Sequence, residues 1–180
     1  MHNRYKYFQM NFLFTKQTAK TEVFDSVKKF LVEKGFNIIN IDQERPWGGF
    51  FVIDELQSSK FKKEFFEDAV ENNGEGKGKL SPKILIVEAN KRLSWQYHHR
   101  RSEIWKIIGG EVGVKRSEND EEGPVETKKI NDLISLHRGE RHRLIGLNSW
   151  GIIAEIWQHT DPEHPSDEED IIRVQDDFGR

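Results

Sequence analysis

The stretch that decides the fold lies between residues 83 and 158, where short apolar runs follow one another: KILIVEA (83–89), RLSWQYH (92–98), EIWKIIGGEVGV (103–114), ETKKI (126–130), LISLH (133–137), HRLIGL (142–147) and GIIAEIWQ (151–158). β-branched and aromatic residues dominate these runs, and Asn, Gly, Asp and Pro split them. Their spacing, roughly 8–12 residues, is that of a sandwich or closed barrel. The body of the chain therefore reads as mainly β.

Outside this stretch the texture is helical. Val23, Phe24, Val27, Phe30 and Leu31 recur at helical spacing, with Thr21 placed to cap the start and Gly35 to stop the helix. The expectation is a helix over 21–35 that packs its apolar stripe on the barrel. FNIINI (36–41) reads as a strand and ERPWGG (44–49) as a turn. A second helix is expected over 58–70, with Phe61, Phe65, Phe66 and Ala69 on one side. ENNGEGKGK (71–79) then reads as a solvated loop, because it lacks the Gly-Lys-Ser/Thr ending of a phosphate-cradling loop. The domain reading is an N-terminal extension over 1–41 carrying the first helix, and a barrel over 42–180 with an insertion at 57–82.

Composition narrows the function. The 180 residues are 35% apolar and 33% charged, enough for one domain that buries about 70% of its unfolded surface. A formal charge of −3 with scattered Lys and Arg argues against a nucleic-acid partner. No cysteine is present, which excludes disulfides and thiolate ligands, so metal ligands must be imidazole, carboxylate or amide. The N-terminal residues lack the pattern of a signal peptide, and no apolar run approaches the ~18 residues of a membrane span. A cytoplasmic protein without a membrane partner is expected.

One constellation carries chemistry. Alternation on a strand points Gln96 and His98 to one face and His99 to the other. After a turn at Arg100 to Ser102, Glu103 opens the next strand with Trp105 and Ile107 on its face, and Gly109-Gly110 turns the chain. His142 arrives on a later strand. Taken singly, each has a plainer reading: Gln-x-His satisfying buried hydrogen bonds, Glu103 exposed on a strand, His142 in a basic patch with Arg141 and Arg143. Together they offer one amide, two imidazoles and one carboxylate, a set that suits a divalent first-row ion with open positions.

The spacing resembles the cupin superfamily, whose first motif runs Gly, five residues, His-x-His, four residues, Glu, six residues, Gly. Gln96, His98, Glu103 and Gly110 fall in register with it. His137, Gly139 and His142 fall on the second motif, Pro-x-Gly-x-x-His. Asn90 stands where the opening Gly belongs, His137 where the Pro belongs, and Gly146 where Asn is usual. RLSWQYHHRRSEIW (92–105) looks like type II phosphomannose isomerases, in which Leu-Ser-x-Gln-x-His and Arg-x-Glu recur. ERPWGGF (44–50) and EDIIRVQDDFGR (169–180) resemble the start and end of that domain. The resemblance covers about residues 42–180 without the insertion. It implies a cupin jelly-roll barrel with an N-terminal helix and a helical insertion.

It also implies a metal-dependent aldose–ketose isomerase that interconverts mannose 6-phosphate and fructose 6-phosphate. The implied cofactor is one divalent ion, zinc first and manganese, iron, cobalt or nickel compatible, on Gln96, His98, Glu103 and His142. Arg45, Lys83, Arg173 and Arg180 match basic positions of the family and are the implied sugar-phosphate anchors, Lys83 and Arg180 with a catalytic part. Lys83 has a plainer reading as a lysine on the barrel edge, and Arg173 and Arg180 as partners of the acidic run Asp167 to Asp170. Lys83, His99 and Glu155 stand open as the general base. His159 and His164, in a segment stiffened by Pro162 and Pro165, read as connecting loop rather than a second metal site. The alternatives are a non-catalytic sugar or sugar-phosphate binding cupin, and an iron oxygenase, which would usually offer His at position 96. The guanylyltransferase activity of bifunctional relatives, which rests on a Gly-rich nucleotidyltransferase domain, is not expected of these residues, and a homodimer is a family-level expectation.

Overall fold

A computed structural model describes residues 12–66 and 78–179. In chain order the elements are helix α1 (Lys20–Glu33), strands β1 (Ile38–Asp42) and β2 (Gly48–Ile53), helix α2 (Ser58–Phe66), β3 (Leu80–Val87), β4 (Trp95–Tyr97), β5 (Arg101–Gly109), β6 (Val112–Ser117), β7 (Glu126–Lys128), β8 (Leu133–Leu136), β9 (Arg141–Gly146), β10 (Gly151–His159) and β11 (Ile172–Gln175). Short 3-10 helices at Glu55–Gln57 and Glu168–Asp170 precede α2 and β11. The strands form two sheets, one of six in the order β1-β2-β3-β10-β5-β8 and one of five in the order β11-β4-β9-β6-β7. All strand pairs are antiparallel. This is a jelly-roll layout, the fold the cupin resemblance implies and one of the two-sheet arrangements the apolar runs allow.

The central strands β3 and β10 of the six-stranded sheet are buried on both faces, which is why they read as continuous apolar runs. Along β3, Ile84 and Ile86 join one core cluster while Leu85 and Val87 join another. Along β10, Ile152, Ala154 and Ile156 go with the first cluster and Ile153 with the second. The first cluster is the outer face, covered by Val23, Phe24, Val27 and Leu31 of α1 and by Phe61, Phe65 and Phe66 of α2. The second fills the barrel between the sheets, and the site opens from it.

Helix α1 departs from expectation at its start. It begins at Lys20, its N-cap is Ala19, and no side chain caps it; Thr21 lies inside the first turn. The other end is as read: Gly35 has φ 71°, and Phe36 N–H donates to Leu31 O while Gly35 N–H donates to Val32 O. Those paired bonds form the glycine-terminated stop that satisfies the last carbonyls. The tail of the expected second helix (67–70) and most of the glycine-rich segment lie outside the described residues. The turn placed at Arg100 to Ser102 is shorter than expected, since Arg101 already belongs to β5.

Two backbone positions are special at the Val87 end of β3. A Cβ at Gly48 would stand 1.9 Å from Ile86 O, so only glycine lets β2 lie against β3 directly after the Arg45-Pro46-Trp47 turn. Asn90, where a glycine was the family pattern, has φ 61°, a conformation Asn tolerates better than most side chains. Among the described residues no helix is long and apolar enough to cross a membrane.

Candidate metal centre

Rows of neighbouring strand residues build the site, because cross-strand partners project to the same face. In the five-stranded sheet Arg173 (β11), Gln96 (β4) and His142 (β9) are successive partners. In the six-stranded sheet one row runs Lys83 (β3), Glu155 (β10), Trp105 (β5), Ile134 (β8). The next row places Trp157 beside Glu103, and Glu103 beside Leu136. The two sheets thus face each other across a core that is apolar at one end and polar at the other.

His98, Glu103 and His142 converge there. All three are buried, and their ligating atoms lie within 4.8 Å of one another, the sole such cluster among the described residues. His98 Nε2 is 3.1 Å from Glu103 Oε1, and His142 Nε2 is 3.6 Å from Glu103 Oε2. Each imidazole has its other nitrogen against a backbone carbonyl: His98 Nδ1 at 3.3 Å from Asp170 O, and His142 Nδ1 at 3.0 Å from Glu140 O. A carbonyl only accepts, so both Nδ1 atoms carry the proton and both Nε2 lone pairs face the cluster. Burial lowers His142 to about 4, which keeps it neutral and fit to ligate. Burial by itself would raise Glu103, but the Arg101 guanidinium beside it outweighs burial and holds the carboxyl well below its ordinary range.

These residues fit a divalent ion. His142 Nε2 is buried without a hydrogen-bond partner, a state that costs free energy unless a cation or donor meets it. Gln96 stands directly across the ladder from His142; its Oε1 accepts from Ser94 Oγ at 2.6 Å and keeps a second lone pair. Around the cluster, Trp105 Nε1 donates to Glu103 Oε2 at 3.1 Å and to Glu155 Oε1 at 2.9 Å, so one indole bridges two carboxyl groups. Burial, with the Glu103 charge beside it, pushes Glu155 up to about 8, which favours its protonated form.

A cavity of about 60 Å³, open to solvent on one side, meets the cluster at Glu103, while His98 and His142 lie behind its wall. Arg45, Lys83 and Arg173 line it together with Gln96, Glu103 and Glu155. Lys83 is not an edge lysine: β3 lies between β2 and β10, and the residue is 7% exposed. Its Nζ sits 3.4 Å from the Trp157 ring centroid and donates to Glu168 Oε1 at 3.3 Å. Burial lowers the ammonium, against the pull of Glu155 and Glu168. Arg45 lies over Phe50 and pairs with Asp42 at 2.7 Å. Arg180 lies outside the described residues.

Two other candidates sit elsewhere. His99 is exposed, edge-on to Tyr97, and is not part of the cavity wall, so it is removed as a base. His159 is the last residue of β10 rather than a loop residue; it is buried, with Nδ1 accepting from Ser166 N–H and Nε2 facing Ser81 Oγ at 2.8 Å. His164 is exposed beside Asp161.

The sequence reading missed Arg101, Trp157 and Glu168. Arg101 is 1% exposed; its Nε donates to Glu103 Oε1 at 2.7 Å, and its guanidinium lies 3.5 Å from the Trp157 centroid. A signal existed. Arg101 is two residues before Glu103, so extending that strand backwards puts both on one face.

No protein-family model matches the chain, and no curated protein matches it. Solved structures do. Oxalate decarboxylase from Lactobacillus farciminis matches with a TM-score of 0.50 and 12% identity over 74% of this chain and 33% of that one. A Cupin 2 conserved barrel domain protein from Salinispora arenicola matches at 0.38 and 18% identity, over 43% of this chain and 61% of that one. DMSP lyase DddQ from Ruegeria pomeroyi matches at 0.41 and 14%, over 54% of this chain and 45% of that one. The chain has the cupin-type jelly-roll fold. A shared fold does not carry an activity with it; that has to be argued from the site.

Proposed function

We propose that this protein is a metal-dependent sugar-phosphate isomerase that interconverts mannose 6-phosphate and fructose 6-phosphate. One observation carries the reading: Arg45, Lys83 and Arg173, picked from sequence as anchors for a phosphate ester, line one cavity with Gln96 and Glu103. A divalent ion, zinc in the first instance, would be held by His98, Glu103, His142 and Gln96 and would supply Lewis acidity toward the sugar oxygens. The other parts of the chemistry fall to the chain. The Arg45 and Arg173 guanidinium groups bind the ester oxygens in forked pairs, and Lys83 adds a point charge. Arg180 belongs to this group through the resemblance of the C-terminal segment.

Moving a proton between C1 and C2 needs a group that can hold it near neutral pH. Glu155 and Lys83 are cross-strand partners at the cavity wall, the acid raised to about 8 and the amine lowered by burial. Their shifts bring both toward the working range, which supports the pair as the proton carrier. Trp47, Phe50 and Trp157 supply apolar wall and keep water from the reacting carbons.

A second reading, a sugar-phosphate binding protein without turnover, is favoured by the contacts of Arg101 with His98 and Glu103, which oppose ion binding. The test is incubation of zinc-loaded protein with mannose 6-phosphate while fructose 6-phosphate is followed. Conversion supports the isomerase, binding without conversion supports the second reading, and neither rules out both.

A further inference from the structure

We propose that Arg101 is a built-in competitor for the divalent ion: its guanidinium holds the lone pairs that the ion needs, and must give them up when the ion binds. This rests on the metal reading of the cluster. The argument begins with the lone pairs. With its Nδ1 proton turned to the Asp170 carbonyl, His98 offers one in-plane Nε2 lone pair to the cluster, 3.1 Å from Glu103 Oε1, the arrangement of two ligands around a shared ion. Arg101 Nη2 stands 3.1 Å from His98 Nε2, and Arg101 Nε donates to Glu103 Oε1 at 2.7 Å. One lone pair cannot serve a donor and a metal at once. A guanidinium in contact with both ligands would also stand against a dication at a few ångströms inside a buried site, where like charges repel strongly.

The two arms of the cluster differ in this respect. On the His98 arm the Nε2 and Oε1 atoms are both met by Arg101, whereas on the His142 arm Nε2 has no partner. The guanidinium is also anchored from behind. Its Nη1 donates to Ser166 Oγ at 2.9 Å and to Asp167 O at 3.3 Å, and its face lies on Trp157. Arg101 therefore has contacts to fall back on: a turn about the Nη1 anchors withdraws Nε and Nη2 from the ligands without exposing the charge. The His142 arm is where an ion first finds an open lone pair, and the His98 arm is completed when Arg101 yields.

The test is zinc titration by calorimetry of the wild type, Arg101→Met and Arg101→Lys. Removing the competitor is expected to tighten zinc binding by about tenfold or more in Arg101→Met, the worth of a charge-assisted contact, with Arg101→Lys between. Equal or weaker binding in Arg101→Met overturns the competitor and leaves the metal reading standing. No zinc binding by any of the three proteins overturns both. Should Arg101→Met fail to fold, the wild type decides alone. The Arg101 Nε–H nuclear resonance, assigned through Arg101→Lys, is expected to exchange slowly without zinc and to shift and exchange faster with it. A resonance unmoved by saturating zinc overturns the proposal.

Discussion

The two faces of the six-stranded sheet are made by the same strands and have opposite characters. Outward, β3 and β10 present Ile84, Ile86, Ile152, Ala154 and Ile156 to the phenylalanines of α1, α2 and β2. The Phe61 ring packs edge-on or tilted against Phe36, Phe65 and Phe66 there, with centroids 4.6–6.3 Å apart. Inward, the residues in between include Lys83, Glu103 and Glu155, all buried. Burying charge is costly unless it is paired, whereas burying a phenylalanine ring stabilises by itself. The comparison teaches that one face holds the molecule together and the other holds a set of groups the fold alone would not select.

The largest expected effects break the inner face without touching the outer. His98→Ala and His142→Ala should each strip the metal and abolish turnover, with melting of the metal-free proteins close to that of metal-free wild type. Elemental analysis checks it; wild-type zinc content in both variants would sink the ligand assignment. The converse is Phe61→Ala, on the outer face and fully buried. It should destabilise by about 3–5 kcal/mol in urea unfolding while zinc stoichiometry stays unchanged. A Phe61→Ala protein that folds normally but loses zinc would show that the two faces are not separable.

This contrast also explains what was legible in the sequence. The outer face was readable because Val23, Phe24, Val27 and Leu31 repeat at helical period and KILIVEA runs without a break, patterns that burial on two sides imposes. Glu103, His98 and His142 were readable because ligands need fixed spacing on strands. Arg101 was not, since a residue given to a turn has no assigned face. Trp157 and Glu168 were hidden for another reason. Their place in the cavity comes from pairing β10 with β5, and from the 3-10 helix that brings Glu168 onto Lys83; those contacts join residues far apart in the chain. Asn90 shows the reverse case, a departure from the glycine pattern that the backbone absorbs at φ 61°.

A finer test uses the two shifted groups on chelator-treated protein. His142 drops from its ordinary 6.5 to about 4, so the native state refuses a proton that the unfolded chain takes. Its share of stability is whole above 6.5 and is lost as pH falls toward 4. Glu155 rises from 4.5 to about 8, so the native state keeps a proton that the unfolded chain releases. Its share is whole below 4.5 and is lost as pH climbs to 8. Glu155→Gln mimics the protonated acid and still accepts from Trp105. It should gain roughly 4 kcal/mol over wild type at pH 8 and little at pH 4.5. A stability difference that does not change between those pH values would contradict a protonated Glu155.

The smallest effects separate cations inside the barrel from cations outside it. Arg173 sits one ladder step from Gln96 and lines the cavity, whereas Arg92 pairs with Asp177 at 2.6 Å on the surface and is not part of the cavity wall. If Arg173 binds the phosphate group in ground state and transition state alike, Arg173→Ala raises KM for mannose 6-phosphate about tenfold and leaves kcat nearly unchanged. Arg173→Lys recovers part of the loss, since an ammonium keeps the charge but not the fork. Arg92→Ala removes an exposed pair worth at most about 1 kcal/mol and leaves KM where it was. Removal of Arg180 should behave like Arg173→Ala. Equal KM values across all four proteins and the wild type would remove the basic wall from the site, and with it the reason to prefer a phosphorylated sugar.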